Sequence, residues 1–89
     1  MKIKVIYKKV GRERIWAQAV GKNIIEIDPR ATGKKELELL IHESLHLIYP
    51  TQEEEMIETN AITLTNLLWK IGYRKVDNSN SIPLQDGTI

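Results

Sequence analysis

The stretch "LIHESLHLIYPTQEEE", Leu40 to Glu55, decides how the second half of the chain folds. Apolar residues recur around it at helical spacing: Leu37, Ile41, Leu45 and Ile48. Pro50 ends this pattern, because proline disfavours helical backbone at the residue before it. Thr51 and Glu54 then have the spacing of a capping box, which starts a helix. The stretch therefore predicts two helices joined by a tight turn.

The outer ends of these two helices also have sequence signals. Thr32 is a suitable N-cap for the first helix, and Gly72 is a suitable C-cap for the second. The predicted buried stripe of the second helix is Ile57, Ala61, Leu64, Leu68 and Ile71. After Lys75 the chain is polar and follows neither helical nor strand periodicity. We predict a domain over residues 1–75 and a flexible polar tail over residues 76–89.

The residues before Thr32 alternate between apolar and polar side chains, and many are β-branched, which is typical of strands. We predict three strands, at Lys2–Val10, Arg14–Val20 and Ile24–Asp28, separated by the turn signals "GRE" and "GKN". Such short connections favour an antiparallel meander. The expected fold is therefore α+β, in the order β-β-β-α-α, with a two-helix hairpin packed on a three-stranded antiparallel sheet.

Length and composition exclude several classes of protein. The 89 residues fit one small domain, and the absence of cysteine excludes disulfides and thiolate metal sites. Thirteen basic and twelve acidic residues are well mixed, so the net charge of +1 gives no indication of nucleic-acid or membrane binding. The sequence has no signal-peptide pattern and no long apolar run. We expect a cytoplasmic protein whose oligomeric state the sequence leaves open.

The two histidines of the chain, His42 and His46, lie four residues apart within the first predicted helix. Residues at this spacing share a helix face, so both imidazoles can bind one metal ion. Glu43 lies about 100° away around the helix. From there its carboxylate can reach a water held by the ion without being a ligand. This HExxH pattern predicts a zinc site with a glutamate general base.

The acidic start of the second helix offers the third metal ligand. In a tight hairpin Glu54 lies opposite His46, and we expect it to be the ligand. Glu58 is the alternative ligand, or else orients the ring of His42 from outside the ligand set. Glu55 is a third possibility, and an acidic first turn is also common without any metal, because the helix dipole favours it. Tyr49 is the preferred candidate to stabilise an oxyanion, ahead of Tyr7 and Tyr73.

The sequence also resembles a known family. "EIDPR", "TGKKELELLIHESLH", Pro50, the Glu54–Glu55 pair and "LLWKIGYR" look like parts of the small HExxH zinc metallopeptidases encoded by phages and prophages. The resemblance covers residues 24–75. It implies a minimal zincin-like domain with His42 and His46 as ligands and Glu43 as base. A downstream glutamate ligand would make the site gluzincin-like, and only HExxH in this comparison is specific for a mechanism.

Three hypotheses for function follow. The first is a zinc-dependent metallopeptidase that cleaves a peptide or protein substrate, held in extended form against one of the first two strands. The second is a non-enzymatic phage regulatory or interaction protein in which the same site is a structural metal staple with four protein ligands. The third is a metal-free helical hairpin whose tail binds a partner. In the third case the histidines would simply face solvent.

Overall fold

The computed structural model describes residues 1–10 and 15–76 of the chain. Five elements follow one another: β1 (Lys4–Tyr7), β2 (Ala17–Val20), β3 (Ile24–Ile27), α1 (Gly33–Ile48) and α2 (Glu54–Lys70). The three strands form one sheet, and the two helices follow it in the chain. The predicted α+β class and the order β-β-β-α-α are therefore confirmed, although each strand is shorter than predicted.

The sheet is mixed, so the predicted antiparallel meander is wrong. Its strand order is β1-β3-β2, with β2 antiparallel to β3 and β1 parallel to β3. The prediction rested on short connections, but nine residues, 8–16, separate β1 from β2. A connection of that length lets β1 cross to the far side of β3. The most apolar strand then occupies the centre, where Ile25 and Ile27 are both fully buried.

Asp28, directly after β3, accepts hydrogen bonds that fix the start of the connection between β1 and β2. Its side chain is 1% exposed and accepts two hydrogen bonds from the guanidinium of Arg30, at 2.9 and 2.8 Å. The backbone N–H groups of Arg30 and Val10 also donate to it. The hydrogen bonds from Arg30 are the main reason that the pKa of Asp28 falls to about 2. The predicted turn at Asp28 is thus also an anchor for the segment that leaves β1.

Helix α1 is the middle layer, since it contacts β2 and β3 as well as α2. Thr32 is its N-cap and it ends before Pro50, as predicted. The predicted stripe is only partly right: Ile48 is half-exposed, whereas Glu36 and Leu47 are the buried residues of α1. A helix packed on two sides buries two flanks, so a single apolar stripe does not describe it. Its half-buried Leu39 and Leu40 pack on the core cluster of Ala17, Ile27 and Ala31.

Helix α2 packs on α1 through Ile57, Ala61 and Thr65, all fully or almost fully buried. Leu64 and Ile71, predicted to be buried, are 41% and 60% exposed, because Thr65 takes the position facing α1. The helix ends near the predicted residue. Its C-cap is Ile71, and Gly72 follows with a φ of +102°. The N–H of Tyr73 donates to the carbonyl of Leu68, as in a Schellman motif.

The chain beyond α2 is described as far as Val76. Lys75, the last residue of the predicted domain, returns to α1 and contacts Glu36 at 3.0 Å. The rest of the predicted tail, residues 77–89, lies outside the described residues. Neither of the two described helices combines the length and the apolar composition that a membrane crossing needs.

Candidate metal centre

The end of α1 and the start of α2 bring three potential metal ligands together. His42 Nε2 lies 2.7 Å from Glu54 Oε1, and His46 Nε2 lies 2.7 Å from Glu54 Oε2. One ligand atom from each of the three residues lies within 4.8 Å of the other two. The two imidazole rings are tilted by 56°, with their centroids 5.0 Å apart. His42, His46 and Glu54 are the residues that the sequence predicts as ligands.

The position of Glu54 depends on where α2 begins. The predicted capping box is wrong, since Glu53 is the N-cap and no side chain caps the helix. The N–H of Gln52 instead donates to the carbonyl of Tyr49, which closes the turn. Glu54 therefore becomes the first residue of α2, where its carboxylate lies back over the end of α1. The helix dipole favours an ionised carboxylate at this position.

The donor set fits a zinc ion. Two imidazole nitrogens and one carboxylate oxygen are ligands of the type found in catalytic zinc sites, which have three protein ligands. Ligand atoms in a tetrahedral zinc site lie about 3.3 Å apart, given metal–ligand distances of about 2.0 Å. The Glu54 oxygens are 2.7 Å from the histidine nitrogens, so Glu54 would have to move outward to make room for an ion. Because its side chain is 62% exposed, it has room for this movement.

Glu43 lies between the sheet and the group of potential ligands formed by His42, His46 and Glu54. It is half-buried, and burial raises the pKa of its carboxyl above the usual value, with the negative charge of Glu54 acting in the same direction. His42, His46 and a backbone hydrogen bond from Ala19 act against this rise in pKa. A carboxylate whose pKa lies closer to neutrality is a better proton acceptor at neutral pH. This environment suits the predicted role of Glu43 as a base.

Strand β2, which contains Ala19, is an edge of the sheet. The N–H of Asp28 donates to the carbonyl of Trp16, which places the peptide groups of Trp16 toward β3. Because the direction alternates along an antiparallel pair, the N–H and C=O groups of Ala17 and Ala19 point away from β3. The hydrogen bond from Ala19 to Glu43 agrees with this direction. The free edge of β2 is therefore next to Glu43.

The other acidic candidates lie outside this group. Glu55 and Glu58 are exposed on α2, and the ligand group found within the described residues contains neither of them. The predicted roles of Glu58, as the alternative ligand or as the group that orients the ring of His42, stay predictions. Tyr49 is the C-cap of α1 and its side chain is 55% exposed. Its role at an oxyanion stays a prediction.

Tyr7 and Tyr73 line a different cavity, of about 900 Å³, between the start of α1 and the end of α2. There the buried carboxylate of Glu36 accepts hydrogen bonds from Tyr7 Oη at 2.6 Å and Lys75 Nζ at 3.0 Å. Burial, followed by this hydrogen bond to Glu36, raises the pKa of Tyr7. The cavity is at the opposite end of the hairpin from His42, His46 and Glu54, so neither tyrosine belongs to that group of potential ligands.

Two features of the site region were missed at the level of sequence. Glu36 has helical spacing with Leu40, Glu43 and Leu47, and this spacing marks a second buried flank of α1 that the apolar stripe alone does not show. The proximity of Ala19 to Glu43 depends on β2 lying at the sheet edge. Only the pairing of the strands determines that. The predicted meander has the antiparallel pairing of β2 with β3 right, but it places β1 beside β2 instead of beside β3.

Comparison with known proteins does not assign the chain to a family. No protein-family model, no curated protein and no solved structure gives a significant match to it.

Proposed function

We propose that this protein is a small zinc-dependent metallopeptidase with a minimal zincin-like domain, similar to those that phages and prophages encode. The main support is the convergence of His42, His46 and Glu54 beside a half-buried Glu43. In this proposal the two histidines and Glu54 would hold the metal ion, which is the number of protein ligands found in catalytic zinc sites. The protein acts in the cytoplasm, which is that of the host if a phage encodes it.

Glu43 is the general base of the proposed reaction. A zinc ion held by this ligand set would supply Lewis-acid chemistry, lowering the pKa of water and polarising a carbonyl group. Glu43 accepts the proton of the attacking water and then donates it to the leaving amine. Its half-buried position beside His42 and His46 supports this role, because burial raises the pKa of the carboxyl above its usual value. Tyr49 remains the proposed oxyanion donor.

The proposed substrate is an extended segment of a peptide or protein. Of the two strand regions considered from the sequence, the structure favours β2, because its free edge is beside Glu43. The outward N–H and C=O groups of Ala17 and the outward C=O group of Ala19 can pair with an added strand, whereas the N–H of Ala19 already donates to Glu43.

The second candidate function is that of a structural metal staple in a regulatory or interaction protein. It is favoured by one observation: the ligands come from two different helices, so that a bound ion would link α1 to α2. A structural zinc site normally has four protein ligands, and the described residues bring three together. This difference in ligand number favours the peptidase.

The test compares the parent protein with Glu43→Gln, both loaded with one equivalent of zinc. We expect both to bind one zinc ion per chain. We also expect the variant to hydrolyse a mixed peptide library at least ~100-fold more slowly, because it lacks the base. Glu55→Gln, in an exposed position on α2, is the matched control and should retain activity. Zinc binding without hydrolysis by the parent would favour the staple, and equal rates for parent and Glu43→Gln would exclude Glu43 as base.

A further inference from the structure

Helix α2 exposes an apolar stripe on the flank beside its buried face. Four large apolar side chains are 41% to 60% exposed along it: Met56, Leu64, Leu67 and Ile71. Asn60 lies between the first two, so the five residues are separated by steps of 4, 4, 3 and 4. These steps place them on one narrow side of the helix. The end of the stripe from Asn60 onward has the heptad spacing of helices that pair with another helix.

This stripe contains no charged residue, whereas the ends of α2 are strongly charged. The start of the helix is acidic, with Glu53 as its N-cap. The end of the helix is basic, with Lys70 and, just after it, Arg74. Two copies of α2 packed antiparallel would place the acidic end of each beside the basic end of the other, and would also oppose their helix dipoles. A parallel arrangement would place like charges together.

The stripe also matches itself when one copy is reversed. If the two-fold axis passes close to Leu64, Met56 of one copy lies opposite Ile71 of the other. Asn60 then lies opposite Leu67, and the two Leu64 side chains meet near the axis. A two-fold contact requires this kind of self-complementarity, because the same surface serves on both chains.

We propose that α2 is the interface of an antiparallel homodimer, formed by the stripe of Met56, Asn60, Leu64, Leu67 and Ile71. The exposed apolar side chains offer on the order of 400 Å² per chain, or about 1,000 Å² in total with the flanking polar groups, which corresponds to a weak specific interface. For a weak interface of this kind we expect a dissociation constant of roughly 10–100 µM. Glu54 lies about 120° from the stripe around the helix, so the dimer would not cover the group of His42, His46 and Glu54.

The test is sedimentation equilibrium of the full chain between 5 and about 500 µM, with far-UV circular dichroism to verify folding. We expect a monomer–dimer equilibrium for the parent and a monomer for Leu67→Lys. Ile62→Lys is the matched control, since Ile62 is as exposed as Leu64, at 41%, but lies about 160° away around α2. It should dimerise like the parent. Asn60→Leu should strengthen association by roughly tenfold, because it completes the apolar stripe.

Salt distinguishes the orientation of the helices. Antiparallel packing predicts that raising the salt concentration from 50 to about 500 mM weakens the dimer, because opposite charges are screened. A monomeric parent at about 500 µM would overturn the proposal. An undiminished dimer in folded Leu67→Lys, or an equal loss in Ile62→Lys, would also overturn it. A dimer strengthened by salt would overturn the antiparallel arrangement.

Discussion

Glu54 is the residue on which the candidate metal centre depends, because it is the only ligand of the group that α2 contributes. We expect Glu54→Gln to lose more than ~100-fold in zinc affinity, since even residues outside the ligand set typically contribute ~10–100-fold. Competition with a chromophoric chelator measures this loss. Glu55→Gln, one position further along α2, should bind zinc like the parent. If Glu58→Ala loses more affinity than Glu54→Gln, the third ligand is Glu58.

The ionised carboxylate of Asp28 makes the stability of the fold depend on pH. Its folded pKa, about 2, lies below the ordinary value of 3.8, because Arg30 stabilises the ionised form. The stability that Asp28 contributes is therefore present above about pH 4 and is lost as the pH falls toward 2. Asp28→Asn should lower the thermal midpoint at pH 7 by roughly 10 °C, because it removes a buried carboxylate that accepts charge-assisted hydrogen bonds from Arg30.

Thermal unfolding at several pH values tests this linkage. The difference in midpoint between the parent and Asp28→Asn should shrink as the pH falls from about 4 to about 2. A difference that stays constant over this range would mean that the contribution of Asp28 does not depend on its charge. Glu55→Gln again serves as an exposed carboxylate control.

The single residues that the sequence revealed are those whose partners are close in the chain or follow a known spacing. His42, Glu43 and His46 have a recognised spacing on one helix, and the tight hairpin puts Glu54 opposite them. Asp28 could be predicted only as a turn residue. Its hydrogen bond from Val10 spans 18 positions and depends on how β1 crosses the sheet.

At the scale of elements, the contact between α2 and α1 buries one polar side chain, that of Thr65. Thr65 is fully buried against α1, and its Oγ1 has no hydrogen-bond partner among the described residues. We expect Thr65→Val to raise the free energy of unfolding by about 1 kcal/mol, since it replaces an unsatisfied hydroxyl with a methyl group of similar size.

Denaturant unfolding of Thr65→Val and of Thr63→Val measures this effect of the hydroxyl. Thr63 is exposed on the same helix, and its Oγ1 donates to the carbonyl of Thr59 at 3.0 Å. Its replacement by valine should change stability by less than ~0.5 kcal/mol. A loss of 1 kcal/mol or more in Thr65→Val would show that the Thr65 hydroxyl makes a stabilising hydrogen bond.

The two helices could be predicted from the sequence more accurately than the sheet. Thr32, Pro50 and Gly72 are local signals, and α1 and α2 begin or end within a few residues of them. The pairing of β1 with β3 is a non-local choice between two neighbours for a four-residue strand. The only local signal for that choice is the apolar composition of β3, which favours the centre of the sheet but does not determine the direction in which β1 pairs with it.

At the scale of the whole molecule, a chain this small would gain much of its stability from a metal ion if it bound one. Eight apolar residues form the buried core that the described residues show, and a core of this size supplies little stability in a domain below about 80 residues. The potential ligands His42, His46 and Glu54 lie at the junction of α1 and α2. An ion there would hold the two helical layers together at the end of the hairpin away from the cavity around Glu36.

We therefore expect zinc to stabilise the whole fold. A ligand that binds only the folded state stabilises it by about 2.7 kcal/mol at a free concentration 100 times its dissociation constant. For a domain of this size, that corresponds to a rise in thermal midpoint of roughly 10–20 °C. Differential scanning calorimetry with excess zinc, and then with a chelator, measures the rise and its reversal. Glu54→Gln should show little of it, because it keeps both histidines on α1 but no longer links them to α2. A parent midpoint that responds to neither zinc nor chelator would contradict a metal centre of either kind, catalytic or structural.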